Sequence, residues 1–207
     1  MHMQQLTEQH LEQIIAQSLK QSFSYDSYID LMKELVDTES TTGHDQSESM
    51  VNYTKLNDRR MKRWNTTLKL TQEAIETIQN YSKKVIWLVI TESWCGDAAH
   101  VIPVINKVAS LNKGIDLKLV LRDDNPELMD LFLTNGSKSI PKLIVLDGHS
   151  KAVLGTYGPR PSVATKMVSD YKAERGKLTA EFKEDLQMWY NKDKGQTTVE
   201  DVLKLLK

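Results

Sequence analysis

The stretch VITESWCGDAAHVIPVI, residues 89–105, decides the fold of this chain. The apolar run VIWLVI (85–90) that leads into it is typical of a buried β-strand, and apolar residues at helical spacing follow. Cys95, the only cysteine among 207 residues, lies between the two. A cysteine at the start of a helix faces unpaired backbone N–H groups, which stabilise its thiolate. The stretch predicts a functional thiol, although a lone cysteine can also be a small buried apolar residue.

The composition indicates a soluble globular protein without a strongly charged surface. Apolar residues make up 40% of the chain, and 27 Lys and Arg against 28 Asp and Glu give a formal charge of −1. We therefore expect neither a nucleic-acid partner nor a membrane partner. The N-terminus lacks the apolar core of a signal peptide and no 18-residue apolar run occurs, so we expect a cytoplasmic location. The five histidines are scattered, and none pairs with Cys95 at metal-ligand spacing, so we expect no metal and no cofactor.

The hydrophobic pattern changes near residue 83. Residues 1–82 show helical periodicity broken by the polar loop 37–49, in which Asp45 and Glu48 have the spacing of a helix N-cap and its capping-box partner. Strands and helices then alternate in the order β-α-β-α-β-β-α, and further helices follow. The predicted strands are 85–90, 115–121, 141–147 and 152–157, and the predicted helices are 97–112, a short one from Pro126, one from Pro161, 178–192 and 198–206. This order predicts an α/β fold with a parallel strand pair and an antiparallel hairpin in one mixed sheet.

Several motifs resemble the thioredoxin superfamily over about residues 83–175. They are WCGDA (94–98) at a helix start and LRDDNPELMDLFLTNGSKSIPKLIVLDG (121–148), with its Asn-Pro helix and Ile-Pro dipeptide. TTGHDQSE (41–48), YTKLNDRRMKR (53–63) and YGPRP (157–161) are similar, more narrowly, to a bacterial thioredoxin-like subfamily with a helical N-terminal extension. The resemblance implies a thioredoxin-like domain at 83–175, with an N-terminal extension (1–82) packed on it and a C-terminal helical addition (176–207).

The resemblance also implies the composition of the site. Pro141 would be cis and would lie against Cys95, where the backbone of Ile140 could pair with an extended substrate peptide. Arg160, in a loop beside the site, could hold a glutathione carboxylate or another substrate acid. Trp94 would be exposed at the site. The active-site neighbours of the cysteine are Trp94, Gly96, Asp97 and Ala98.

The sequence departs from the family at two positions. Ala98 stands where a dithiol enzyme has its second cysteine, so a mixed disulfide at Cys95 cannot be resolved internally. Val89 stands where thioredoxins usually carry a buried carboxylate. In addition, Asp97 suits a helix N-terminus but its charge opposes thiolate formation nearby, so the sequence leaves the net pKa of Cys95 open.

Other polar residues are weaker candidates. Lys55, Arg59, Arg63 and their neighbours form a basic helical face that is more simply a solvated surface, although it could also hold a glutathione carboxylate or another substrate acid. His100 follows Cys95 in the same predicted helix and is more simply a surface or core residue than a catalytic one.

Two functions remain open. The first is monothiol thiol–disulfide exchange at Cys95, by a thiol–disulfide oxidoreductase whose partner is a protein disulfide or a low-molecular-weight thiol such as glutathione. The second is a redox-inactive binding module that keeps the thioredoxin groove. The first predicts a low thiol pKa and rapid adduct formation, whereas the second predicts an ordinary thiol and partner binding that survives Cys95→Ala.

Overall fold

The computed structural model describes residues 2–206, in which a helical N-terminal part precedes a four-stranded sheet and its helices. Met1 and Lys207, the outer residues of the predicted extension and C-terminal addition, lie outside the described residues. The elements are α1 (His2–Lys20), α2 (Tyr25–Asp37), α3 (Glu48–Thr67), α4 (Gln72–Gln79), β1 (Val85–Thr91), α5 (Gly96–Ala109), β2 (Ile115–Leu121), α6 (Pro126–Leu131), β3 (Lys142–Asp147), β4 (Val153–Tyr157), α7 (Ser162–Arg175), α8 (Ala180–Asp193) and α9 (Gln196–Leu203), with a 3-10 turn at Lys204–Leu206.

The sheet is mixed, as the element order predicts. Its strand order is β2-β1-β3-β4, with β1 parallel to β2 and antiparallel to β3, and β3 and β4 form an antiparallel hairpin. Strand β1 is buried at every position except Ile86, because helices or loops cover both faces of the sheet. This arrangement confirms the predicted α/β class.

The N-terminal helices pack against the sheet and share its apolar core. Ile15 of α1, Tyr28 and Met32 of α2 and Met61 of α3 belong to the same buried cluster as strand β1. Phe23, between α1 and α2, exchanges two backbone hydrogen bonds with Leu119 and so covers the free edge of β2. The boundaries 1–82, 83–175 and 176–207 stay a prediction, but helices are present on both sides of the sheet region.

Helix α3 begins later than its sequence predicts. Its N-cap is Ser47, not Asp45, and the Ser47 side chain makes no capping hydrogen bond. The Asp45 Oδ1 atom instead accepts the backbone N–H of Ser47 at 2.9 Å, which is a turn within the preceding loop. The capping-box prediction was therefore wrong, because the aspartate closes a local turn before the helix starts.

No helix within residues 2–206 is long and apolar enough to cross a lipid bilayer.

Candidate functional site

Cys95 lies at the point where the chain leaves the central strand and enters helix α5. It is the N-cap residue of α5, and only 8% of its surface is exposed. Its thiol donates a hydrogen bond to the carbonyl oxygen of Ile140, with a sulfur–oxygen distance of 3.3 Å. The Ile140–Pro141 peptide is cis and Pro141 is buried, so the structure brings these three predicted residues together. The backbone of Ile140 was expected to pair with a substrate peptide, and its carbonyl oxygen already accepts the hydrogen bond from the thiol.

The surroundings of Cys95 favour the protonated thiol. Burial, followed by the negative charge of Asp97, raises the pKa of Cys95 from 9.0 to about 12. The backbone N–H groups of Ala98 and Asp97 and the charge of Arg160 act in the opposite direction without reversing the shift. The helix N-terminus therefore stabilises the thiolate, as its position predicts, but desolvation outweighs it.

Asp97 is held by two side chains from distant parts of the chain. Its Oδ2 atom lies 2.6 Å from Arg160 Nη2, and its Oδ1 atom accepts the hydroxyl hydrogen of Tyr190 at 2.9 Å. Burial raises the pKa of Asp97, and the positive charge of Arg160 opposes that rise. The arrangement fixes a carboxylate two residues from the cysteine.

Arg160 reaches the site because two loops approach each other closely. Gly158 has a φ of 108°, and a Cβ atom there would overlap the carbonyl oxygen of Pro141. Only glycine accommodates both this conformation and this contact. The loop after β4 can thus pass beside the loop before β3, and Arg160 arrives at Asp97.

A pocket of about 500 Å³ opens over Cys95. Helix α8, from the part of the chain treated as a C-terminal addition, supplies one side of it. The described lining residues are Met50, Tyr53, Arg60, Trp94, Cys95, Gly96, Asp97, Arg122, Lys138, Ser139, Ile140, Pro159, Arg160, Leu178, Lys183, Leu186, Gln187 and Tyr190. Sequence reasoning placed Trp94, Cys95, Gly96, Asp97, Ile140 and Arg160 at the site and did not find the residues from α8.

Trp94 is half-buried rather than fully exposed. The Arg122 guanidinium carbon lies 4.8 Å from the centroid of its ring, which is a cation–π contact. Gly96 is also half-buried, and Ala98 is buried with 2% of its surface exposed. Trp94 therefore forms a wall of the pocket with Arg122.

Arg60 on helix α3 is a site residue that sequence reasoning missed. A Cβ atom on Gly96 would stand 3.5 Å from Arg60 Nη1, so the guanidinium group lies directly beside the cysteine loop. Nη1 also donates to Asn57 Oδ1 at 3.0 Å, and burial lowers the pKa of Arg60. Arg60 is four residues before Trp64, a buried residue of the same helix, and this helical spacing was the available signal.

The predicted basic face of α3 makes surface contacts. Lys55 Nζ pairs with Glu39 at 2.7 Å, Arg63 Nη2 donates to Asn191 Oδ1 at 2.7 Å, and Arg59 is exposed. The basic face is therefore mainly a solvated surface, whereas its neighbour Arg60 faces the pocket.

A buried hydroxyl cluster fixes the segment before the cysteine. Ser93 Oγ lies 3.0 Å from Thr41 Oγ1, 2.8 Å from Thr54 Oγ1 and 3.1 Å from Thr42 Oγ1, and it accepts the Thr42 backbone N–H. Asn57 Nδ2 donates to the Ser93 carbonyl oxygen at 2.9 Å. The loop before α3 and α3 itself thus hold the polypeptide that positions Trp94 and Cys95.

His100 is a core residue. Its Nδ1 atom accepts the indole N–H of Trp64 at 2.9 Å, its Nε2 atom lies 2.9 Å from Gln187 Oε1, and its ring stacks on Tyr190 at 4.2 Å. Burial lowers the pKa of His100 from 6.5 to about 3, so the imidazole is neutral. It supports Tyr190, which in turn binds Asp97.

A buried carboxylate is present near the site, although not where the family usually has one. Val89 is completely buried in the apolar core, and Glu92, three residues later, has no exposed surface. Glu92 Oε1 accepts the backbone N–H of Asp123 at 2.9 Å, which connects the ends of β1 and β2. Burial raises the pKa of Glu92. Among the side chains of residues 8–206, no group of three or more His, Cys, Asp and Glu is arranged to hold a metal ion.

Comparisons with known proteins agree with this architecture. A family model described as thioredoxin matches residues 43–172, more than half of the chain. A protein of unknown function from Pseudomonas aeruginosa is similar in structure, with a TM-score of 0.62 and 16% identity over 92% of this chain and 95% of that one. An HIV epitope scaffold has a TM-score of 0.54 and 18% identity over 89% of this chain and 98% of its own. No curated protein matches. At these identities the structural likeness shows the fold alone.

Proposed function

Because the chain belongs to the thioredoxin family, we propose that it performs monothiol thiol–disulfide exchange through a mixed disulfide at Cys95. The observation that carries the proposal is the position of this cysteine, which is the N-cap of α5 and lines a pocket beside a cis-proline loop. Ala98, in the next helical turn, supplies no second thiol. Membership of a bacterial subfamily with a helical extension and a single-cysteine site is part of the same proposal.

The reaction has two steps. The Cys95 thiol loses its proton to solvent and its sulfur attacks one sulfur of a disulfide; a new sulfur–sulfur bond forms, the old one breaks, and the departing thiolate takes up a proton. Cys95 is thereby oxidised to the mixed disulfide and the departing group is reduced. A second, external thiol loses its proton and attacks the substrate sulfur of the mixed disulfide. A new disulfide forms between these two sulfurs, the bond to Cys95 breaks, and the Cys95 thiolate takes up a proton. A reducing compartment such as the cytoplasm would supply that external thiol.

The raised pKa sets the rate of the first step. Because burial raises the pKa of Cys95 well above its ordinary value, only a very small fraction of Cys95 is a thiolate at pH 7, and we expect exchange in the unliganded protein to be slow. The rate should rise about tenfold per pH unit until the thiol titrates.

Alkylation with iodoacetamide as a function of pH tests the thiol, and intact mass after incubation with oxidised glutathione tests the adduct. We expect one glutathione adduct in the wild-type protein and none in Cys95→Ser. Folded protein that yields no adduct at any pH, while its urea-unfolded form does, would contradict monothiol exchange.

The raised pKa itself favours a second candidate function, a binding module that does not turn over. In that case the pocket binds its partner without covalent chemistry, and Cys95→Ala binds as tightly as the wild type. Equal binding by both proteins together with an unreactive thiol would establish this alternative.

A further inference from the structure

We infer that the pocket over Cys95 takes a small acidic disulfide, such as a dipeptide or tripeptide disulfide with free carboxylates, in preference to a protein disulfide. The inference rests on the proposed function and names its substrate class. Two independent features lead to it, the enclosure of the cysteine and the charge of the pocket.

The first feature is the enclosure of the cysteine by helix α8. Lys183, Leu186, Gln187 and Tyr190 of this helix line the pocket, and Tyr190 is anchored by its hydrogen bond to Asp97. Only 8% of the Cys95 surface is exposed. A pocket of about 500 Å³ has the size of a small-molecule site. Helix α8 therefore stands at one side of the pocket, where it would obstruct a disulfide held in a folded protein more than the disulfide of a short peptide.

The carbonyl of Ile140 is a further obstacle to a protein substrate. An extended peptide would pair with the backbone of the cis-proline loop. Here the Cys95 thiol already donates to the Ile140 carbonyl oxygen. A substrate N–H would therefore share this oxygen with an internal hydrogen bond, and the charged side chains of the pocket offer the stronger contacts.

The second feature is an excess of positive charge. Among the described lining side chains, Arg60, Arg122, Lys138, Arg160 and Lys183 are cationic, and Asp97 is the one anion. Three of the cations have carboxylate partners: Arg160 with Asp97, Arg122 with Asp123 and Lys138 with Asp130. Within residues 8–206, no carboxylate lies at ion-pair distance from the other two, Arg60 and Lys183.

Arg60 lies where it could bind the carboxylate of a substrate beside Cys95. Its guanidinium lies beside Gly96, the residue after Cys95, and its described hydrogen bond is to the neutral amide of Asn57. The Asp97 charge acts on Arg60 from beyond ion-pair distance, so the half-buried guanidinium can still bind a substrate carboxylate directly and with defined geometry. A carboxylate on Arg60 would hold the attached disulfide next to the Cys95 sulfur.

The test compares three small disulfides that differ in charge. Oxidised glutathione is acidic, hydroxyethyl disulfide is neutral and cystamine is cationic. The rate of adduct formation at Cys95 is measured by intact mass and divided by the rate of the same disulfide with a free cysteine-containing tripeptide, which removes intrinsic reactivity. We expect a normalised rate at least about tenfold higher for oxidised glutathione than for cystamine.

Arg60→Gln should reduce the preference for oxidised glutathione about tenfold, because it removes the guanidinium group that would bind the substrate carboxylate. Arg59→Gln is the matched control, since Arg59 is the exposed neighbour on the same helix and lies outside the pocket lining. We expect it to leave the preference unchanged. Binding of reduced glutathione to Cys95→Ser, measured by calorimetry, should be weakened by Arg60→Gln in the same way.

The outcomes separate the two proposals. Insulin, measured in parallel, serves as the protein disulfide. Equal normalised rates with all three small disulfides, or a faster reaction with insulin than with oxidised glutathione, would overturn the acidic substrate and leave monothiol exchange intact. If no disulfide forms an adduct with Cys95, monothiol exchange is overturned. The binding of reduced glutathione to Cys95→Ser, measured by calorimetry, then tests whether the pocket binds an acidic ligand. Undetectable binding of glutathione to Cys95→Ser, or binding that Arg60→Gln leaves unchanged, overturns the inference for the pocket itself.

Discussion

Arg160 and Asp97 form an ion pair, with 2.6 Å between Nη2 and Oδ2, two residues beyond the only cysteine of the chain. The pair brings one charge of each sign to the thiol. The Asp97 charge raises the pKa of Cys95 and the Arg160 charge lowers it, and the carboxylate has the larger effect. Removal of the Asp97 charge should therefore make the cysteine more reactive, and removal of the Arg160 charge should make it less reactive.

Asp97→Asn should make Cys95 more reactive. The amide keeps an oxygen for Tyr190 but loses the negative charge, so the pKa of Cys95 falls and the charge of Arg160 is no longer offset. We expect alkylation at pH 8 to be roughly tenfold faster than in the wild type. Asp124→Asn, at an exposed position, is the control. An unchanged or slower reaction of Asp97→Asn would show that burial alone sets the pKa.

His100 should make the protein sensitive to mild acid. Its folded-state pKa of about 3 lies below its ordinary value of 6.5, so the stability it contributes is present above pH 6.5 and is lost as the pH falls towards 3. Below pH 6.5 the unfolded chain binds a proton that the folded chain does not. Between pH 7 and pH 5 the loss is about 2 kcal/mol.

Urea unfolding at several pH values measures this loss. Glu92 and Asp97 have raised pKa values and act in the opposite direction, so the quantity to compare is the difference between wild type and His100→Gln. The variant should lose about 2 kcal/mol less than the wild type between pH 7 and pH 5. His10→Gln, at an exposed histidine, is the control. If the free energy of unfolding depended on pH in the same way in the wild type and in His100→Gln, the prediction would be wrong.

Ser93→Ala should destabilise the fold through the hydroxyl cluster. The substitution removes the common partner of Thr41, Thr42 and Thr54, all of which are buried. Thr41 and Thr54 keep their mutual hydrogen bond and Thr42 Oγ1 keeps the backbone N–H of residue 93, but the buried Thr42 backbone N–H loses its acceptor. A buried group left without a partner costs about 1–3 kcal/mol, so we expect a loss of this size in the free energy of unfolding. Ser49→Ala, at an exposed position of α3, should change it by less than about 0.5 kcal/mol. A loss no larger than that of the control would mean that the cluster rearranges.

The fold could be predicted because the sequence patterns that indicate it lie within short stretches of the chain. Apolar runs of strand length alternate with helical periodicity after residue 83, and the strand-to-helix order restricts the topology. The error at Asp45 is also local, since a turn and a helix cap use the same side chain in competing ways. Packing decides whether the side chain closes a turn or caps a helix, and the hydrophobic periodicity of a sequence contains no information about packing.

The site could be predicted only in part because it is assembled over long distances in the chain. Cys95 and its neighbours lie in one motif, and the family resemblance supplied Ile140 and Arg160. The hydrogen bond between Asp97 and Tyr190 spans 93 residues, and no spacing rule connects them. The net pKa of Cys95 was open for the same reason, since burial is a property of the assembled structure.

Ala98→Cys should convert the single-cysteine site into one that forms an internal disulfide. The Ala98 backbone N–H is among the groups that stabilise the Cys95 thiolate, so position 98 lies beside the sulfur, one helical turn from the N-cap. Wild-type protein should catalyse insulin reduction by dithiothreitol slowly at best, because each mixed disulfide has to wait for the external thiol to resolve it. The variant should be faster than the wild type but still weak, since Val89 provides no carboxylate and the pKa of Cys95 stays raised.

Free-thiol titration and insulin turbidity measure both properties, and Ala99→Cys is the matched control for Ala98→Cys. The control adds one cysteine to the same buried helix, but a side chain at position 99 projects about 100° around the helix axis from one at position 98. After mild oxidation we expect two free thiols in Ala99→Cys, with turnover no faster than in the wild type, against no free thiol in Ala98→Cys. Insulin reduction by the wild type as fast as by Ala98→Cys would show that a second thiol at position 98 adds nothing to turnover and would contradict this prediction.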